Sequence, residues 1–176
     1  MTHEDHIAKI KIYEGFRNRL YEDTLGFLTI GYGTKIEQFK HNKTMMALFN
    51  TGINKAQAEA MMMADFKEVI AYLVRNYNFY NNLSMERKFV MISMAYQLGV
   101  NFGNTFKCFI KALEAGNFKL AKMEMLYRKT SSSDRSMDNW SSWHLQTKAR
   151  CEELSTMMYS ATTRIGYNYK HTEISK

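Results

Sequence analysis

Ile7, Ile10 and Tyr13 recur at helical spacing, and Gly15 stands just past Glu14, where a helix would stop. The period then shortens to two. Arg17, Arg19 and Tyr21 alternate with Asn18 and Leu20, residues 22–26 carry a turn signal, and residues 27–33 read as a second strand. Along it Phe27, Thr29 and Gly31 face one way, and Leu28, Ile30 and Tyr32 the other. A short helix ending at Glu14 and a β-hairpin directly after it are therefore expected. Residues 38–52 are polar and give no assignment. Asn54, with Gln57 three positions on, predicts a capping box at the head of a long amphipathic helix. Ala58, Met61, Met62, Phe66, Val69, Ile70 and Leu73 mark its apolar face, and the polar run 76–82 ends it.

Beyond Ser84 the pattern is helical throughout. Phe89, Ile92 and Tyr96 form one stripe, closed by Gly99, and Phe106, Phe109, Ile110 and Leu113 a second, closed by Gly116. Phe118, Ala121 and Met125 form a third, with Asn117 as its cap, and Cys151, Leu154, Met157 and Met158 a fourth. Residues 129–139, rich in Ser and Asp, read as a loop. No internal repeat is present. The expected class is α+β and mostly helical: one domain over 1–176, with a β-containing lobe at 14–53, a connecting helix at 54–75, and a helical lobe at 76–176 joined by the 4–13 helix. Two such lobes create a cleft, where ligands favour binding.

Composition narrows the function only a little. Of the 176 residues 45% are hydrophobic and 23% charged, so wholesale disorder is excluded. The formal net charge of +7 suits a polyanionic partner, whether nucleic acid, anionic lipid or bacterial wall polymer. The basic residues are scattered, with no dense run like a nucleic-acid arm, so no nucleic-acid partner is expected. Proline is absent, and the 14 methionines read as fillers of core gaps. Cys108 and Cys151 make neither a disulfide framework nor a zinc spacing; they read as free, buried thiols of a reducing compartment, and no metal or cofactor is expected. No segment is long and apolar enough to span a bilayer, and residues 1–12 lack the pattern of a signal peptide.

Glycoside hydrolysis needs two carboxyl groups at the scissile bond, one to protonate the leaving oxygen and one to activate water or attack the sugar carbon. Glu14 at a helix end and Asp23 in the following hairpin could face one site, because the chain reverses between them. On spacing alone, two solvated carboxylates are the simpler reading. The words around them say more: Glu14-Gly15-Phe16-Arg17, then Tyr21-Glu22-Asp23-Thr24-Leu25-Gly26-Phe27, then Thr29-Ile30-Gly31-Tyr32-Gly33. This run resembles the catalytic segment of bacteriophage lysozymes, glycoside hydrolase family twenty-four, typified by the lysozymes of T-even phages. Residues 53–66, the segment Met94-Ala95-Tyr96-Gln97-Leu98-Gly99-Val100, the turn at 115–118 and the segment from Trp143 to Arg150 resemble later parts of that family. The similarity runs from about Ile7 to about Tyr159.

The resemblance implies a lysozyme-like two-lobed fold and a muramidase that acts, with inversion, on the β-1,4 bond between N-acetylmuramic acid and N-acetylglucosamine. It implies Glu14 as general acid, Asp23 as holder of the attacking water, and Thr29 opposite, positioning that water. Arg150 would support Glu14 by pairing with it, and Tyr96 would line the sugar cleft; for Tyr96 a place in the core is an equal reading, and for Arg150 a surface residue is the alternative. Lys35, Phe109 and Glu124 stand at further sugar-contact positions, where they depart from the family's residue types. Thr34 replaces the family's usual His, whose partner is retained as Asp65. Residues 129–139 look like an insertion of roughly a dozen residues. The implied partner is bacterial peptidoglycan. The implied setting is a monomeric phage endolysin held in the host cytoplasm until release and acting on the wall in the periplasm. The alternatives are a tail- or bacteriocin-borne muramidase, and a basic wall- or membrane-binding antibacterial protein without chemistry.

Overall fold

The computed structural model describes residues 3–23, 26–128 and 133–161. Two compact units divide the chain, Met1–Ile70 and Ala71–Lys176.

The first unit opens with helix α1, His3–Glu14, which carries acids in its first turn and Lys11 in its last, as the helix dipole favours. Gly15, at φ +66°, ends it, its N–H donating to the Lys11 carbonyl. The helix belongs with the sheet, where the sequence reading joined residues 4–13 to the helical lobe. An ion pair joins its Lys11 to Glu59, also in the first unit. Strand β1, Arg17–Glu22, pairs antiparallel with β2, Leu28–Gly31, which pairs antiparallel with β3, Thr34–Lys35. The expected hairpin thus gains a third strand. Gly31 and Gly33, at φ +71° and +88°, reverse the chain inside what reads as one strand. Tyr21, Thr29 and Lys35 are partners in one row across the sheet. Between Arg17 and Tyr21 the register shifts, which puts a bulge in β1.

Helix α2, Lys43–Thr51, occupies the segment left unassigned by pattern; the Asn42 side chain caps it by accepting the Met45 N–H. Its Phe49 is fully buried and meets Phe39 edge-on. Helix α3, Lys55–Asn76, starts with the expected capping box. The Gln57 N–H donates to Asn54 Oδ1 and the Asn54 N–H to Gln57 Oε1, each at 2.9 Å. Ala58, Met62, Phe66, Val69 and Leu73 are buried at three- and four-residue intervals. The division between the units falls within α3.

The second unit is helical. Helix α4, Met85–Leu98, is capped by Ser84 and closed by Gly99 at φ +89°. Helices α5, Lys107–Glu114, and α6, Phe118–Leu126, follow, the latter capped by Asn117 as expected. Helix α7, Ser142–Ser160, begins ahead of the Cys151 stripe and is interrupted at Thr147, where φ is −133°. α7 packs on α6 and α4, and α5 on α6. Trp143 is buried and donates to Gln97 Oε1 at 2.9 Å. Arg87 is buried too, with its guanidinium over the Phe118 ring and its N–H groups on the Met158 and Ala161 carbonyls at the end of α7. Of the expected loop at 129–139, residues 129–132 lie outside the described residues. Trp140 bridges to Tyr127 and stacks on the buried His144. Both cysteines are free, but Cys108 is exposed, a correction to the expectation of two buried thiols; burial pushes the Cys151 thiol up to about 12.

Candidate active site

Four side chains singled out in the sequence, Glu14, Asp23, Thr29 and Lys35, lie in the first unit, and the sheet explains their placement. Gly15 stops α1 with Glu14 as its last residue, half-buried. β1 then carries the chain to Asp23, where a tight turn returns it. The Asp23 N–H donates to the Phe27 carbonyl at 2.9 Å, and the Gly26 N–H to the Asp23 carbonyl at 3.0 Å. Gly26 takes φ +82° there. Thr24 and Leu25, the middle of the motif's turn, lie outside the described residues.

Phe27 is the hub of this turn. Its N–H donates to Asp23 Oδ1 at 2.8 Å, while its carbonyl accepts both the Asp23 N–H and, at 2.9 Å, the Thr29 hydroxyl. One residue's peptide groups therefore fix the carboxylate and the hydroxyl together. Thr29 is 1% exposed. Because its hydroxyl donates to a carbonyl, its oxygen lone pairs are left to accept from another O–H.

Tyr21 lies next to this pair in the sheet. It stands opposite Thr29 in the ladder. Its phenol is pushed above the ordinary tyrosine value by burial first, then by the negative charge of Glu14, with Arg17 opposing and Asp23 adding to the rise. Both carboxylates thus act on one phenol. Arg17 lies over the Tyr21 ring, 4.7 Å from its centre. Two carboxyl groups that act on one phenol, with a buried hydroxyl opposite it in the ladder, can supply a proton donor, a proton acceptor and a holder for water. Tyr21 and Phe27 are letters of the motif to which the resemblance attaches no role; the part of Phe27 rests on backbone bonds, which its side chain does not advertise.

Lys35 is exposed on β3, partner of Thr29, with its ammonium 3.9 Å from the centre of the Phe27 ring. Beside it Thr34 is buried and donates to Asp65 Oδ2 at 2.8 Å, and Gln38 reaches Asp65 Oδ1 at 3.5 Å. Burial pushes the Asp65 carboxyl above its ordinary value against those two donors.

The remaining residues lie in the second unit. Tyr96 on α4, Glu124 on α6 and Arg150 on α7 are half-buried. Phe109 corrects the sequence reading: it is 0% exposed and packs against Phe102, so its ring is core and offers no face to a sugar. Its place in the apolar stripe of α5 is the physical reason. Among the described residues no three His, Cys, Asp or Glu side chains are grouped to hold a metal ion, and no helix is long and apolar enough to cross a membrane.

Residues 11–138 match the model of the phage lysozyme family, a span holding Glu14, Asp23, Thr29 and Lys35. The chain is similar to two proteins of Dictyostelium discoideum. Probable T4-type lysozyme 1 is 26% identical over 170 residues, covering 87% of this chain and 92% of the relative. Probable T4-type lysozyme 2 is 24% identical over 173 residues, covering 88% and 94%. With that family's model covering most of its length, the chain belongs to the phage lysozyme family.

Proposed function

We propose that this chain is a muramidase that hydrolyses the β-1,4 bond between N-acetylmuramic acid and N-acetylglucosamine in bacterial peptidoglycan. Glu14 gives its proton to the leaving glycosidic oxygen. Asp23 takes a proton from the attacking water, whose other O–H the Thr29 oxygen accepts. Water then adds across the broken bond with inversion at the anomeric carbon, and proton exchange with solvent restores both carboxyl groups. The observation that carries this reading is the Phe27 hub, which holds Asp23 and Thr29 on one pair of peptide groups opposite Tyr21. Tyr96, Glu124 and Arg150 enter as substrate-lining and supporting residues through resemblance alone. The setting we propose is release of the protein from the cytoplasm of a phage-infected bacterium onto the wall.

The test is Glu14→Gln, which keeps the shape of the side chain and removes its transferable proton. General acid catalysis contributes about two to four orders of magnitude. Clearing of bacterial cells, followed by turbidity, should fall by at least that range while circular dichroism stays unchanged. Folded Glu14→Gln protein that clears cells at the parent rate overturns the reading and favours an antibacterial action without chemistry.

A further inference from the structure

Phe27 joins the proposed catalytic pair to a cation that the hydrolysis itself does not use. Its backbone fixes Asp23 and Thr29, and its ring carries the Lys35 ammonium at 3.9 Å. The ring is 48% exposed, and Lys35 is exposed as well. Among the described residues no carboxylate comes within ion-pair distance of Lys35. An ammonium resting on an aromatic face is held from one side by the ring's negative face. The ring engages one side of the ammonium, and its other N–H donors can serve a further acceptor. The cation is therefore positioned in the row of Thr29 and Tyr21, and no carboxylate of the described chain neutralises it.

A neutral sugar polymer offers such a cation nothing to pair with. The wall polymer does. Its stem peptides carry carboxylates, and a muramic acid stripped of its peptide exposes the carboxylate of its lactyl ether. We propose that Lys35, held on Phe27, is a carboxylate receptor that makes this protein prefer carboxylate-bearing wall strands to neutral polymers of N-acetylglucosamine. The proposal rests on the muramidase reading for the class of polymer. What it adds is a charge-selective contact built on this chain's own Phe27–Lys35 pair.

The test measures binding in Glu14→Gln protein, so that turnover plays no part. Three immobilised polymers serve as probes: intact peptidoglycan, glycan strands stripped of peptide by an amidase, and chitin, which has neither carboxylate. The parent should bind at least one anionic polymer more tightly than chitin. Lys35→Met should lower that preference about fivefold, the upper end for an exposed ion pair, and Lys35→Arg should restore most of it. Loss confined to intact wall assigns the stem-peptide carboxylates, and loss on stripped strands assigns the lactyl group. Lys67→Met, which removes an exposed lysine from α3, is the control for bulk charge and should leave the preference within about twofold. No preference in the parent, an unchanged preference in Lys35→Met, or an equal fall in Lys67→Met overturns the proposal. Failure of the muramidase reading looks different: wild-type protein then liberates no reducing ends from intact wall, whatever the binding ratios.

Discussion

Replacing Gly31 by Ala should be among the most damaging single-methyl changes in the first unit. Two effects add there. Gly31 has φ +71°, a left-handed conformation that costs an L residue about 1–2 kcal/mol. A methyl built on it would also stand 3.0 Å from the Ala58 Cβ and 3.3 Å from the Ile53 Cδ1, where α3 crosses β2. The isoleucine end can swing away, but the alanine is fixed to its helix, so strand or helix must shift. Overpacking of that kind costs typically about 1–3 kcal/mol. The sum, about 2–5 kcal/mol, lowers the melting temperature of a chain this size on the order of 10 °C. Denaturant and thermal unfolding of the purified variant measure it. A double-mutant cycle separates the two causes: Ala58→Gly relieves the contact and leaves the backbone strain, so only the overpacking part appears as coupling energy. A loss under about 0.5 kcal/mol, the usual range of an unconstrained surface change, would refute the reasoning. Zero coupling would remove the contact and leave only the strain.

Two further outcomes follow from the site. Burial holds the Asp65 carboxyl above its ordinary value, so folding disfavours its ionised form. That group's stability is full below the unfolded value, near about 3.9, and is lost as pH rises through the folded value. Asp65→Asn still accepts from Thr34 and escapes the loss, so its denaturation midpoint should gain on wild type with rising pH and then run parallel; an advantage to wild type that widens with pH contradicts this. Thr29→Val removes a buried hydroxyl of one hydrogen bond, costing about 1 kcal/mol of stability, but it also unseats the proposed water. Clearing activity should therefore fall about a hundredfold and return in Thr29→Ser; unchanged clearing takes Thr29 out of the water site.

The parts of the fold that were legible in the sequence are those whose signal is local. The Asn54–Gln57 capping box, the Gly15 stop and the Asn117 cap each rest on hydrogen bonds within three or four residues. Helix α2 was not legible because it buries a single residue, Phe49, and so leaves no stripe to count. β3 was hidden because an uninterrupted alternation runs through Gly31 and Gly33, whose shared positive φ turns the chain. The break at Thr147 displaces the period of α7, so only its C-terminal half read as helix. The burial of Arg87 was invisible for another reason: its partners are carbonyls more than seventy residues away. At the candidate site, the motif put Asp23 and Thr29 near one another, as their shared bonds to Phe27 do, and the Thr34–Asp65 contact followed from a departure in it. Phe109 was read twice, as stripe and as sugar contact, and burial decides for the stripe.

The central claim is that the Glu14–Asp23–Thr29 set cleaves wall glycan by adding water. Product analysis of purified peptidoglycan after digestion tests it most directly, by mass spectrometry for the new ends and proton NMR for the first anomer released. The account predicts new reducing ends at N-acetylmuramic acid, first appearing as the inverted α anomer, and none from Glu14→Gln protein. Anhydro-muramic ends would mean that no water enters, and reducing ends at N-acetylglucosamine that a different bond is cut; either result contradicts the account.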